Sequence, residues 1–219
     1  MDEVVRQAMA KWPNVPHCFG WLRLDARGGW RMRDERAQHL DLPGERIAHP
    51  ALLAFIERNY AHDEQGRWHF QNGPQRVYVD LELAPYIIRT QPGAGTGAEP
   101  QLVFHTGEAV GGIDDAWLDE HGRLYLRDGK KTGGVDDRDM AHLLPALQVN
   151  GRADEDALLR WLENDCSNKD GDKGSDEGDD KADGDSPCLV LGGRAIALQR
   201  VRTDALAAQF GFVATPREP

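Results

Sequence analysis

One eight-residue pattern occurs three times in register. Asp63-Glu-Gln-Gly66-Arg-Trp68-His-Phe70 aligns without gaps on Asp119-Glu-His-Gly122-Arg-Leu124-Tyr-Leu126, and on Asp25-Ala-Arg-Gly28-Gly-Trp30-Arg-Met32. Each copy reads Asp-x-x-Gly-x, then two apolar positions one residue apart. An aspartate bonds its own backbone to open a turn, and glycine supplies the φ > 0 position that closes a hairpin. The apolar pair then faces one side of the returning strand. Gly192-Gly193-Arg194-Ala-Ile196-Ala-Leu198 reads as a fourth, degraded copy.

Helical patterns follow the hairpins. Pro50 to Tyr60 carries Leu52, Phe55, Ile56 and Tyr60 on one stripe, with proline in the first turn. Asp137 to Leu147 carries Met140, Leu143, Leu144 and Leu147 at helical spacing, and Pro145 should kink or end it early. Asp204 to Phe210 reads as a helix with Thr203 as its N-cap and Gly211 as its stop. Glu3 to Lys11 and Glu155 to Glu163, the latter capped by Asp154, complete the set. A recurring hairpin-then-helix unit predicts an α+β protein of two related small domains with antiparallel sheets. The glycine- and proline-rich stretch Gln91 to Pro100 sets the expected division: an N-terminal domain over 1–92, a flexible linker at 93–100, and a C-terminal domain over 101–219.

Charge is unevenly distributed. Of the formal −11, residues 164–187 contribute nine acids and three lysines, so −6, leaving −5 for everything else. That remainder does not point to nucleic acid or an anionic membrane. The insert has no aromatic or branched aliphatic side chain and is expected to be disordered. No apolar run approaches the roughly 20 residues that span a bilayer. The acidic, amphipathic start does not read as a targeting peptide. Three cysteines, Cys18, Cys166 and Cys188, lack metal-type spacing and suit a reducing cytoplasm.

Several chemistries are excluded or weakened. All three serines lie in the acidic insert, which argues against a serine hydrolase triad. Gly129-Lys-Lys-Thr132 lacks the first glycine of a phosphate loop, and Gly93-Ala-Gly-Thr-Gly is not a dinucleotide fingerprint. Eight histidines show neither His-x-His nor His-x-x-x-His. Gly111-Gly-Ile-Asp114-Asp115 and Gly133-Gly-Val-Asp136-Asp137 offer paired carboxylates for a hard divalent cation. Their plainer reading is turn and helix-cap chemistry. His17-Cys18 puts a thiol beside a base, but adjacent side chains point apart, and a proline- and tryptophan-rich segment packing on the core explains it as well.

The strand Arg76-Val-Tyr-Val-Asp-Leu-Glu-Leu83 alternates strictly. Val77, Val79, Leu81 and Leu83 share one face, and Arg76, Tyr78, Asp80 and Glu82 share the other. The second face is either the solvated side of an antiparallel sheet or the lining of a binding cleft. Tyr78, arginine and the following Pro85-Tyr86 favour recognition, as aromatics with arginine do.

The segments Lys11-Trp-Pro-Asn-Val-Pro through Trp21, Met32-Arg-Asp-Glu35 and Phe70-Gln-Asn-Gly-Pro-Gln-Arg-Val-Tyr-Val79 resemble an uncharacterised family of proteobacterial proteins of unknown function. The order Ile47-x-x-Pro50, Asp63-x-x-Gly66 and Pro74-Gln-Arg76 through Glu82-x-Ala-Pro-Tyr86 is similar to a second such family. That resemblance covers about residues 11–148. It implies two domains with repeated motifs and an interdomain cleft for a small, nucleotide-like signalling ligand. Neither family offers catalytic residues to transfer.

These readings converge on a cytoplasmic, non-catalytic protein that needs no cofactor, binds a small molecule or a protein partner in a cleft, and leaves a homo-oligomer open. Arg76, Tyr78, Asp80, Glu82 and Arg89 are the expected contacts, with Trp21 as a stacking surface. The rivals are a divalent-metal hydrolase or transferase built on Asp114, Asp115, Asp136 and Asp137, and a pure scaffold.

Overall fold

The computed structural model describes residues 1–93, 100–163 and 186–218; the acidic stretch 164–185 and most of the expected linker lie outside the described residues. In chain order the elements are α1 (Glu3–Lys11), β1 (Cys18–Leu24), β2 (Trp30–Met32), α2 (Glu35–His39), β3 (Glu45–Arg46), α3 (Pro50–Arg58) and β4 (Tyr60–His62). Then come β5 (Trp68–Asn72), β6 (Gln75–Leu81), β7 (Tyr86–Gln91), β8 (Gln101–Phe104), β9 (Asp115–Leu118), β10 (Leu124–Asp128) and β11 (Lys131–Val135). The chain closes with α4 (Met140–Leu143), β12 (Leu147–Gln148), α5 (Glu155–Glu163), β13 (Cys188–Leu191), β14 (Arg194–Arg200) and α6 (Leu206–Phe210).

This is an α+β fold with two sheets, ordered β3-β2-β1-β6-β5-β4 and β12-β13-β14-β9-β10-β11-β7-β8. Pairing is antiparallel except where strands of different hairpins meet: β1 with β6, β7 with β11, and β9 with β14 run parallel. The change of sheet falls between β6 and β7, so Tyr86–Gln91 pairs with β8 and β11.

The three Asp-x-x-Gly copies form the same turn. In each, the glycine N–H donates to the aspartate carbonyl, and the aspartate N–H donates to the carbonyl four residues on: Gly28 and Gly29 for Asp25, Gly66 and Arg67 for Asp63, Gly122 and Arg123 for Asp119. One carboxylate oxygen of each aspartate accepts two further backbone N–H groups at 2.6–3.1 Å. The three glycines sit at φ between +72° and +74°, a region a side chain disfavours.

Two apolar layers result. Leu22, Leu24, Trp30, Val79 and Leu81 of the first sheet pack on Ile87, Trp117 and Tyr125 of the second, with Phe212 from beyond α6 joining them. The opposite face of the second sheet, including Ile88, Leu118, Leu124 and Leu126, packs on Leu143 and Leu158 of α4 and α5. Alternation thus sends Tyr125 toward one layer and its neighbours Leu124 and Leu126 toward the other. Trp30, Tyr60, Tyr86 and His105 form a ring cluster across the inter-sheet layer, with centroids 5.2–6.1 Å apart.

Helix boundaries follow local chemistry. Pro50 stands in the first turn of α3, which His49 caps through Nδ1. Asp154 caps α5 by accepting the Ala157 N–H at 2.9 Å. The stretch 137–147 breaks into a 3-10 turn, α4 and a second 3-10 turn containing Pro145. Gly211 ends α6 in the left-handed conformation at φ 69°. Thr203 does not cap that helix; it starts a 3-10 turn, and its hydroxyl donates to Asp119 at 3.3 Å. A short helix unread in the sequence, α2, is capped by Asp34, which accepts the Ala37 N–H at 2.7 Å.

Candidate functional site

A cleft of about 610 Å³ opens between two of the equivalent turns. One side carries Asp25, Ala26 and Arg27 of the β1–β2 turn with Arg31 and Pro43; the other carries His121, Gly122 and Arg123 of the β9–β10 turn. Leu83, Val135 and Met140 supply apolar lining, and Glu82 and Asp137 add carboxylates.

The turn geometry sets the cleft's electrostatics. In the Asp63 and Asp119 turns the second carboxylate oxygen accepts a tyrosine hydroxyl, from Tyr78 at 3.1 Å and Tyr125 at 2.9 Å, and in the Asp63 turn it also accepts Arg67 Nε at 2.8 Å. In the Asp25 turn that oxygen accepts Arg31 Nε at 2.7 Å instead. Arg31 occupies the position equivalent to Tyr125, six residues after the aspartate. A guanidinium therefore stands at the cleft where a sister turn has a phenol. Across the cleft, Arg27 holds Asp137 through Nε and Nη2, both at 2.8 Å. That bond, first among its causes, keeps the Asp137 carboxyl at about 2. The turn is also pinned from behind, because Arg89 Nη2 donates to the Arg27 carbonyl. Gly28 lies against His105 and Ile87, where a Cβ would come within 2.8 Å of the His105 Cβ.

The expected contact residues separate in space. Glu82 lines the cleft, with its side chain exposed. Tyr78 and Asp80 are buried, so β6 has no solvated second face at its centre. Phe19 stacks on the Tyr78 ring at 4.6 Å and Arg67 lies over it at 4.8 Å. Arg33 donates to Asp80 at 2.7 Å and Arg217 lies 3.5 Å away. Burial raises the Asp80 carboxyl despite these arginines. Asp80 lines a separate depression with Arg23, Arg33 and Arg217. Arg76 is half-buried at the start of β6. Arg89 supports the back of the cleft, and Trp21 stands 41 % exposed where β1 bulges at Gly20.

The paired aspartates are all engaged. Asp114 accepts the Gly129 N–H at 2.8 Å, and Asp115 accepts Arg127 at 2.6 and 2.9 Å. Asp136 is gripped by Arg138 at 2.5 and 2.9 Å, and Asp137 by Arg27. Among the described residues, no three His, Cys, Asp or Glu side chains gather closely enough to hold a metal ion.

Two histidines are strongly perturbed, both away from the cleft. Burial, reinforced by Arg89, pushes the His105 imidazole down to about 3, and its Nδ1 accepts the Ile87 N–H. Burial and then Arg76 push His69 down to about 4. Both serve as neutral interior rings.

Sequence reasoning missed Asp25, Arg27, Arg31, His121 and Arg123. Their motif reads locally as turn and core, and the signal lies in one variable position: Arg31 breaks the aromatic character of its equivalents, His69 and Tyr125.

Among the described residues, no helix is long and apolar enough to cross a membrane. No curated protein matches the chain. Two solved structures resemble it. One is a DUF1285 family protein from Silicibacter pomeroyi DSS-3, with TM-score 0.45 and 16 % identity over 92 % of this chain and 97 % of that one. The other is a DUF1285 family protein from Shewanella baltica OS155, with TM-score 0.36 and 16 % identity over 54 % of this chain and 86 % of that one. The resemblance to an uncharacterised family holds at the level of sequence: residues 1–217 match the family described as "Protein of unknown function (DUF2946)", and the chain belongs to that family.

Proposed function

We propose that this chain is a cytoplasmic binding protein whose small ligand occupies the cleft between the Asp25 and Asp119 turns. The observation that carries the reading is Arg31. Where the facing Asp119 turn has only hydroxyls on its second carboxylate oxygen, the Asp25 turn has a guanidinium, held by Asp25 and lining an open cleft. Oriented guanidinium groups are suited to planar carboxylate or phosphate oxygens. Glu82, one residue beyond β6, reaches the same space. Binding rather than catalysis is favoured because the perturbed imidazoles are interior rings and the paired aspartates are spent on arginines and backbone. Reactive groups instead need to meet a substrate with a matched pKa.

The test is a thermal-shift screen of the full chain against nucleotides, cyclic dinucleotides, inorganic phosphate, free amino acids and divalent metals. A ligand at one hundred times its Kd adds about 2.7 kcal/mol. The shift should disappear in Arg123→Ala, an exposed position that holds Asp119 through its backbone N–H, which alanine retains. An equal shift in the variant, or no shift with any compound, would remove the cleft as the binding site.

A further inference from the structure

The cleft's charges go further than its shape. Three arginines, Arg27, Arg31 and Arg123, face three carboxylates, Asp25, Glu82 and Asp137, so the lining carries no net charge apart from His121. A polyanion such as a nucleoside triphosphate calls for an excess of cations, which this lining does not provide.

The pairing within that set is uneven. Asp25 is engaged by Arg31, and Asp137 by Arg27. Glu82 has no cation within salt-bridge distance among the described residues. Its backbone is fixed by its N–H bond to the Leu24 carbonyl at 3.1 Å, between buried Leu81 and Leu83. Arg123 has no carboxylate within salt-bridge distance among the described residues and is exposed. Arg31 spends Nε on Asp25 and makes a long Nη1 contact of 3.4 Å to the Gly44 carbonyl, which leaves Nη2 donors unspent. The cleft therefore presents one unpaired acceptor and several unspent guanidinium donors beside the apolar side chains of Leu83, Val135 and Met140.

We infer that the ligand is a small zwitterion of the amino-acid type, its carboxylate taken by Arg31 and Arg123 and its ammonium by Glu82. This rests on the cleft being the binding site. An apolar side chain on the ligand meets Leu83 and Met140, and a volume of about 610 Å³ admits a free amino acid or a dipeptide. Each charge of the ligand replaces water on donors or acceptors that no protein ion pair uses, the free Nη2 of Arg31, the Arg123 guanidinium and the Glu82 carboxylate, so both charges are needed for affinity.

Calorimetric titration of the full chain with a panel of free L-amino acids and dipeptides tests this, using their N-acetyl and C-amide forms as controls. At least one free amino acid or dipeptide should bind at millimolar concentration or below. Removing either its ammonium or its carboxylate charge should weaken binding at least about tenfold, the effect of losing one charge-assisted bond. Glu82→Gln should weaken the free compound but leave the N-acetyl form unchanged. The inference is overturned if no free amino acid or dipeptide binds, or if the capped forms bind equally well. A phosphate or nucleotide whose binding is lost in Arg123→Ala but kept in Glu82→Gln would retain the cleft and overturn the zwitterion.

Discussion

Arg33 and Asp80 form an ion pair in the interior, Nη1 to Oδ2 at 2.7 Å, with both side chains under 5 % exposed. Asp80 belongs to β6 and Arg33 to the connection between β2 and α2, and Arg33 uses its remaining donors on local structure. Nε reaches the Leu42 carbonyl, and Nη2 reaches the Ala37 carbonyl and Asp41. One guanidinium thus ties the α2 segment to the covered face of β6.

Removing one partner of such a pair strands the other charge. Arg33→Met and Asp80→Ala should each cost about 3–5 kcal/mol in urea unfolding, while the double replacement Arg33→Met/Asp80→Leu should recover much of the loss. Equal and additive costs would show that the pair is not coupled.

Acid should weaken this protein in two stages. His105 and His69 are held at about 3 and about 4 in the fold, against 6.5 unfolded, so the unfolded chain takes up protons that the folded chain refuses. Their contribution is complete above pH 6.5 and declines as pH falls toward 4, by up to about 1.4 kcal/mol per pH unit for each imidazole. The carboxylate stage comes later. Burial alone would raise Asp63, but bonds from Arg67 and Tyr78 hold it at about 2, so its contribution is lost only below its ordinary value of 3.8. Urea midpoints across pH 7 to 4 should flatten in His69→Phe, which keeps the ring against Tyr78 and removes the titration. An unchanged slope would show that His69 does not titrate with folding.

The hairpin turns, five of the six helices and the apolar face of β6 are legible in the sequence because they depend on contacts a few residues apart. What covers the other face of β6 is not. Asp80 is closed in by Arg33, far upstream, and by Arg217 near the end of the chain, and no alternation pattern records a segment that arrives from elsewhere. The cleft fails to show for the same reason. It exists because two equivalent turns of different sheets come to face each other, which is a consequence of strand order. Glu82 could be found because its strand has no second copy; Arg31 was hidden inside a motif that explained itself locally.

The three turn glycines separate local strain from packing. Their φ values agree within two degrees, so Ala at each should cost the same roughly 1–2 kcal/mol of left-handed strain. Their surroundings differ. A Cβ on Gly122 meets nothing within 4 Å, one on Gly28 comes 2.8 Å from the His105 Cβ, and one on Gly66 comes 2.3 Å from the Gly211 carbonyl oxygen. The Gly66 contact is with backbone, next to the Val213 N–H bond to the Gly66 carbonyl that carries the chain back toward the first sheet. Gly66→Ala must therefore displace the segment after α6, Gly28→Ala must shift a buried ring, and Gly122→Ala needs neither. Urea unfolding of the three variants should rank Gly66→Ala as the most destabilising and Gly122→Ala as the least, with Gly122→Ala close to the strain cost alone. Three equal losses would mean that the close approaches at Gly66 and Gly28 contribute nothing to stability.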